Sequence, residues 1–217
     1  MRLENKTAIV TGAASGLGKA IVEKFLGEGS RVVIVDVNES AARDLSATLG
    51  PKTLAVKTDV GDTKSVENLK KVVFDNFDSV DVVVNNAGVT HLPTPLDEVT
   101  EEDFDRVFRI NCKSVYLMAK AFVPHMKKQG SGSILNIAST AGVSPRPNLN
   151  WYNSSKGWMN TATRTMAVEL APFGVRVNAV NPVASETPLL ASFLGEDTPE
   201  MRKKFLSTIP LGRFAQP

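Results

Sequence analysis

One cysteine, two histidines and two tyrosines leave these 217 residues without the material for several common chemistries. A single thiol, Cys112, forms no disulfide within the chain, so the covalent framework of small secreted domains is not available. A reducing, cytoplasmic setting is expected. His91 and His125 together with one cysteine are too few for a zinc constellation, and no metal is expected. An excess of one charge is also missing: 25 basic against 23 acidic side chains give +2, with no long basic run. That balance offers no electrostatic case for nucleic acid or an anionic membrane as partner. No run of about 18 apolar residues occurs, so no membrane span is expected. The start, MRLENKTAIVTG, has no long apolar stretch, and no secretory signal is read from it. What remains is 42% hydrophobic and 22% charged, an ordinary globular composition with length for one large domain.

What is there is an alternation of strand-like and helix-like segments. TAIVTG (7–12) predicts a first buried strand, GLGKAIVEKFLGEG (16–29) a helix, and RVVIVD (31–36) a second strand. NESAARDLSATLG (38–50) predicts a helix with an asparagine cap and a glycine stop. TLAVKTDV (53–60), a helix over 63–77 and VDVVVNNAG (80–88) follow. A long helical region over 101–128 then leads to a strand GSILNIAS (132–139), a helix over 154–171 and a strand VRVNAVNP (175–182). Strands that are apolar throughout need cover on both faces, and helices between parallel strands supply it. The fold class expected is α/β, a doubly wound parallel sheet of Rossmann type, as one domain over 1–217. Segment 183–210 breaks the rhythm with Pro188, Pro199 and Pro210 and predicts an excursion on the substrate side.

TGAASGLG (11–18) sits between the first strand and the first helix. A glycine-rich turn there aims backbone N–H groups and a helix N-terminus at a pyrophosphate. Its glycines, Gly12, Gly16 and Gly18, are spaced G-x-x-x-G-x-G. Asp36 ends the second strand, where a carboxylate accepts hydrogen bonds from adenosine ribose hydroxyls and repels a 2′-phosphate. Ser15 stands where a basic side chain would have neutralised that phosphate. Both features favour NAD over NADP. Asp59 and Val60 close the third predicted strand within reach of an adenine edge; NNAG (85–88) closes the fourth with small residues where backbone passes close to a ligand.

Tyr152 and Lys156 in YNSSK are four apart and share a helix face. A nearby ammonium favours the phenolate and lowers a tyrosine from its ordinary value near 10, which makes the phenol a usable proton donor or acceptor. Ser139 closes the fifth predicted strand, where its hydroxyl can hold a substrate oxygen. Asn111 lies in the long helical region, where a buried amide can hold a water linking Lys156 to solvent. Bland readings stand beside these: a solvated lysine, a capping serine, a satisfied core amide. Ala141, Gly142, Val143, Leu149, Trp151, Val183 and Ala184 form a mostly apolar candidate substrate wall.

TGAASGLG, NNAG, NIAS and YNSSK, in that order, resemble the short-chain dehydrogenase/reductase family, and the resemblance covers essentially the whole chain. It implies a catalytic set of Asn111, Ser139, Tyr152 and Lys156. It implies cofactor contacts at Gly12, Ser15, Gly16, Leu17, Gly18, Asp36, Asp59, Val60, Asn86, Ala87, Gly88, Ile110, Pro182 and Thr187, with Tyr152 and Lys156 also touching the nicotinamide ribose. The activity implied is hydride transfer between NAD(H) and a ketone or secondary alcohol of small size. Three alternatives stay open: a 3-oxoacyl carrier-protein reductase, a sugar or polyol dehydrogenase, and a non-catalytic dinucleotide-binding regulator. A homo-oligomer, tetramer or dimer, is implied, with the helices over 101–128 and 154–171 at one interface. Two departures matter. Val183 follows Pro182 where the family has glycine, which predicts a changed local backbone. Family members also continue beyond PLGRFAQP, so the sheet expected from 1–217 lacks a final helix and strand.

Overall fold

Runs of valine and isoleucine form the strands because β-branched side chains fit a pleated surface covered on both sides. The computed structural model describes residues 1–217. Its strands are β1 (Thr7–Thr11), β2 (Arg31–Asp36), β3 (Thr53–Lys57), β4 (Val82–Asn85), β5 (Gly132–Ile137) and β6 (Val175–Val180). All pair in parallel, in the order β3-β2-β1-β4-β5-β6. The helices are α1 (Gly16–Gly27), α2 (Glu39–Leu49), α3 (Thr63–Asn76), α4 (Glu101–Phe108), α5 (Ser114–Gln129), α6 (Asn150–Leu170), α7 (Leu190–Leu194) and α8 (Pro199–Leu206). Alternate residues of each strand face opposite layers. Ile9, Val33 and Val83 pack with Leu69 of α3 and Phe122 of α5 on one face. Val10, Ile34 and Val84 pack with Val22 of α1 and Leu45 of α2 on the other. The expected doubly wound α/β sheet in a single domain is what forms.

Several boundaries differ from expectation. β3, β4, β5 and β6 end two to three residues earlier than the apolar runs suggest, and β1 one residue earlier, because the ends of those runs turn into the loops that carry polar groups; β2 ends at Asp36 as expected. The long helical region is interrupted by a π-helical turn, Arg109–Lys113, between α4 and α5. That wider turn, a form often seen at functional sites, carries the buried Asn111 and Cys112. The helix expected to start at residue 154 starts at Asn150, which puts Tyr152 in its first turn.

Between β4, β5 and α6 lies a buried polar relay. Asn85 Nδ2 donates to Asn136 Oδ1 at 2.8 Å, and Asn136 Nδ2 donates to Thr163 Oγ1 at 2.8 Å. Segment 183–210 supplies Leu190, Leu194 and Ile209 to a small apolar cluster with Phe214 beyond it. Arg202 ties it together by binding Glu186 at 3.0 Å and Asp197, and Glu186 N donates to Ala215 O at 2.9 Å.

Candidate active site

The carboxyl ends of β1 and β4 meet at the point where the strand order reverses, and the crevice of an open parallel sheet lies there. Gly12 has φ +59° and Gly16 has φ +51°. Both are left-handed conformations that a side chain resists. A methyl on Gly12 would meet Ala87 Cα at 2.9 Å, so the turn and the NNAG segment touch backbone to backbone. Asn86 fastens them: its Nδ2 donates to the Thr11 carbonyl at 2.8 Å and to the Gly12 carbonyl at 3.0 Å. Thr11 Oγ1 in return accepts from the Asn86 and Ala87 N–H groups, each at 3.0 Å.

These residues fit a dinucleotide. Ser15 occupies the N-cap of α1 without spending its side chain on a capping bond, and no acidic residue lies in the first turn. The leading N–H groups of α1 therefore stay open to phosphate oxygens. Asp36 is held at the tip of β2 by the N–H groups of Ala14 and Asn38, each at 3.0 Å. Val37 beside it is exposed, and no lysine or arginine lines that end of the crevice. NAD bound there would lie along Gly12, Ser15, Gly16, Leu17, Asp36, Asn86, Ala87 and Gly88, with Pro182 and Thr187 toward the nicotinamide end; all ten line one cleft.

The same cleft contains Ser139, Tyr152 and Lys156. Tyr152 and Lys156 are each only 4% exposed. Lys156 Nζ donates to the Ile137 carbonyl at 2.8 Å and lies 5.9 Å from the Tyr152 ring centroid. Gly88 leaves the space this requires, since a methyl there would stand 3.3 Å from Lys156 Nζ. Ser139 Oγ accepts from Ala141 N at 3.1 Å, capping the turn 140–142. Burial pushes Tyr152 up to about 12, with the Ser139 hydroxyl working the other way. Burial pulls Lys156 down to about 8, opposed by Cys112. The net direction for Tyr152 is opposite to that expected from its spacing to Lys156, because desolvation dominates and Lys156 Nζ is turned to the Ile137 carbonyl.

Asn111 is fully buried. Its Oδ1 accepts from Val89 N at 2.9 Å, and its Nδ2 donates to Val89 O and Ser155 Oγ, both at 2.9 Å. The side chain clamps the loop after β4 to α6 and so has no free donor for the expected water. Gly18 lies beneath the turn, packed on the Gly12 carbonyl. Asp59, Val60 and Ile110 fall outside the cleft lining. β3 ends at Lys57, leaving Asp59 in a loop where Arg109 binds it at 2.7 Å. Val60 and Ile110 join the core beneath. Of the expected substrate wall, Ala141, Leu149, Val183 and Ala184 line the cleft, whereas Val143 is exposed and Trp151 packs edge-on against Phe104. Val183 shows no left-handed backbone; the two non-glycine residues that do are Asn5 and Asn148. Valine is therefore accommodated after Pro182 in an ordinary backbone conformation. The sequence reading missed Arg146, Phe193 and Phe205, which also line the cleft. No local pattern marks them, since loops and distant helices bring them in.

Residues 6–197 match the family described as short chain dehydrogenase. The 4-formylbenzenesulfonate dehydrogenase of Comamonas testosteroni is 44% identical over all of this chain and 88% of that protein. Galactitol 2-dehydrogenase of Agrobacterium fabrum is 35% identical, again over all of this chain and 88% of that protein. The crystal structure of a 3-ketoacyl-(acyl-carrier-protein) reductase from Brucella melitensis, complexed with NADH, superimposes with a TM-score of 0.93 at 42% identity, over 99% of this chain and 87% of that one.

Proposed function

Because the chain belongs to the short-chain dehydrogenase/reductase family, we propose that it is an NAD(H)-dependent oxidoreductase interconverting a small carbonyl compound and its alcohol, with Tyr152 as proton donor and acceptor. The observation that carries this is the convergence of Ser139, Tyr152 and Lys156 in the cleft that also holds the glycine turn and Asp36. NAD(H) bound there supplies or accepts the hydride. Ser139 positions the substrate oxygen against the Tyr152 hydroxyl. With its pKa raised, Tyr152 is protonated at neutral pH, as proton donation to a carbonyl oxygen requires. Lys156, anchored on Ile137 and near neutrality in its titration, favours the phenolate left behind. Asn111 is a positioning residue that holds the loop after β4 against Ser155.

The negative Asp36 and the lack of a cation among the residues lining that end of the cleft support NAD over NADP. Apolar walls of Leu149, Val183, Phe193 and Phe205 support a substrate with an apolar body over a bare sugar. A non-catalytic regulator has no need of the Ser139–Tyr152–Lys156 arrangement. The test follows NADH absorbance with a panel of aldehydes and ketones, and NAD reduction with the matching alcohols. Turnover that depends on Tyr152 supports the reading; tight NADH binding with no turnover across the panel would favour the regulator.

A further inference from the structure

The substrate end of the cleft holds a charge that this chemistry does not use. A second cavity adjoins the cleft, and the residues that line both are Thr140, Arg146, Leu149, Val183, Phe193 and Phe205. Arg146 is the one charged side chain at that junction. It is half-buried, and its guanidinium lies 4.1 Å from the Phe205 ring centroid. Its backbone carbonyl accepts from Asn153 Nδ2 at 2.7 Å, which fastens the residue to α6 immediately beside Tyr152. Phe193, edge-on to Tyr152 with ring centroids 5.0 Å apart, fills part of the space between.

Arg146 has no partner for its charge. Arg106, Arg109 and Arg202 each bind a carboxylate, whereas the Arg146 guanidinium makes neither an ion pair nor a hydrogen bond within the chain. Among the residues lining the two cavities the only acidic one is Asp36, at the dinucleotide end, while Lys204 adds a second cation to the outer cavity. Taking a charge out of water without a partner is unfavourable, and burial lowers Arg146 from its ordinary value accordingly. A planar guanidinium held on an aromatic face, with its donors unspent, is preorganised for two-pronged binding of an oxyanion.

We propose that Arg146 selects substrates bearing a carboxylate or sulfonate at the far end from the reacting carbonyl, with an apolar ring or chain between the two lodged against Phe193, Leu149 and Val183. This rests on the carbonyl–alcohol reading above. The probes are 4-carboxybenzaldehyde and benzaldehyde, which share the ring and the reacting group and differ in the anion. The wild-type protein with saturating NADH should favour the anionic aldehyde in kcat/KM by roughly 10- to 100-fold, the range for hydrogen bonds to a charged group. Arg146→Met should bring that ratio close to one, and Arg146→Lys should retain part of it, since a lysine keeps the charge without the fork. NADH affinity of each variant checks that the cleft is folded. Equilibrium binding of the two aldehydes by calorimetry, with NAD+ present so that no reduction occurs, reads the same preference without turnover. An unchanged ratio in a folded Arg146→Met protein, or a wild-type protein indifferent to the carboxylate in both assays, overturns the proposal. Absence of turnover with both aldehydes counts against the catalytic reading; an Arg146-dependent preference in calorimetry would then still uphold the anion site, and no preference there would overturn it.

Discussion

Gly142→Ala separates the two sides of the seam on which the site depends. A methyl on Gly142 would lie 2.6 Å from the Lys156 carbonyl carbon, 2.8 Å from the Lys156 oxygen and 2.8 Å from the Gly157 nitrogen. Carbon contacts settle at about 3.5–4.0 Å, so the turn 140–142 must withdraw from α6 by about 1 Å. Every obstructing atom is helix backbone, which cannot swing aside as a side chain would. Ser139 leads into the turn on one side of the seam, and Tyr152 and Lys156 stand on the other. A displacement of about 1 Å between reacting groups costs on the order of 10²-fold in rate, and overpacking of this kind costs about 1–3 kcal/mol of stability. Gly157→Ala is the control. Its nearest neighbour across the seam is the Gly142 oxygen at 3.6 Å, an ordinary contact, and alanine inside a helix gains about 0.5–1 kcal/mol over glycine. Steady-state kcat/KM at saturating NADH and urea midpoints for both variants should show a slow, weakened Gly142→Ala protein and an active, slightly stabilised Gly157→Ala protein. A folded Gly142→Ala protein with wild-type kcat/KM would refute the claim that this contact sets the distance between Ser139 and Tyr152. Equal losses in both variants would refute it too, because the structure distinguishes them.

Tyr152→Phe keeps the ring against Phe193 and removes the hydroxyl; turnover should fall by about 10²–10⁴-fold with NADH binding largely retained, and near-normal turnover in a folded variant would remove Tyr152 from the mechanism. Asp36→Ser removes the charge at the tip of β2; the preference for NADH over NADPH, measured by fluorescence titration, should drop at least tenfold, by the loss of like-charge repulsion of about 1.4 kcal/mol or more. Burial holds Lys156 down at about 8 in the folded chain, against its ordinary value of about 10.5 when unfolded. The unfolded chain thus holds the extra proton between these values, and stability rises with pH across that window by up to about 1.4 kcal/mol per unit. Lys156→Met should lack this rise in urea melts at pH 8 and pH 10, and parallel curves for the two proteins would contradict a buried, depressed lysine. Exposed Tyr116, Trp158, Val168 and Phe173 on and near α5 and α6 support self-association through those helices; light scattering should give a dimer or tetramer, and a strictly monomeric active species would end that expectation.

The parts of the site legible in the sequence are those fixed by neighbours in the chain. The glycines of residues 11–18, the small NNAG segment and the four-residue step from Tyr152 to Lys156 each declare a local geometry, and each lies where its spacing requires. Asp36 was legible because a strand end announces itself by the switch from apolar to polar. The pairing of Asp59 with Arg109 at 2.7 Å was not legible, because the two lie 50 residues apart and no local pattern announces the contact. Asn111 was recognisable as a buried amide, but its three bonds go to Val89 and Ser155, whose proximity only the fold creates. The direction of the Tyr152 shift was misread because spacing reports a neighbouring charge and says nothing of how little water reaches the phenol. Arg146 and Phe205 meet across a loop and a late helix, so neither carries a signature of the contact.

The bond by which Asn86 fastens the glycine turn joins positions 75 residues apart, and the register of β1 against β4 spans a similar stretch. No hairpin stands in for this closure: the strands on either side of the reversal point find each other only after the intervening β2, β3 and their helices have been gathered in. Closing so long a loop must precede the reward of the contacts it brings, which makes such parallel pairings slow steps in folding. The turn that would grip a pyrophosphate thus takes its shape only with β4 in place, since Thr11, Gly12, Asn86 and Ala87 hold one another. A dinucleotide site built on this turn needs β1 and β4 already paired, because its shape depends on both.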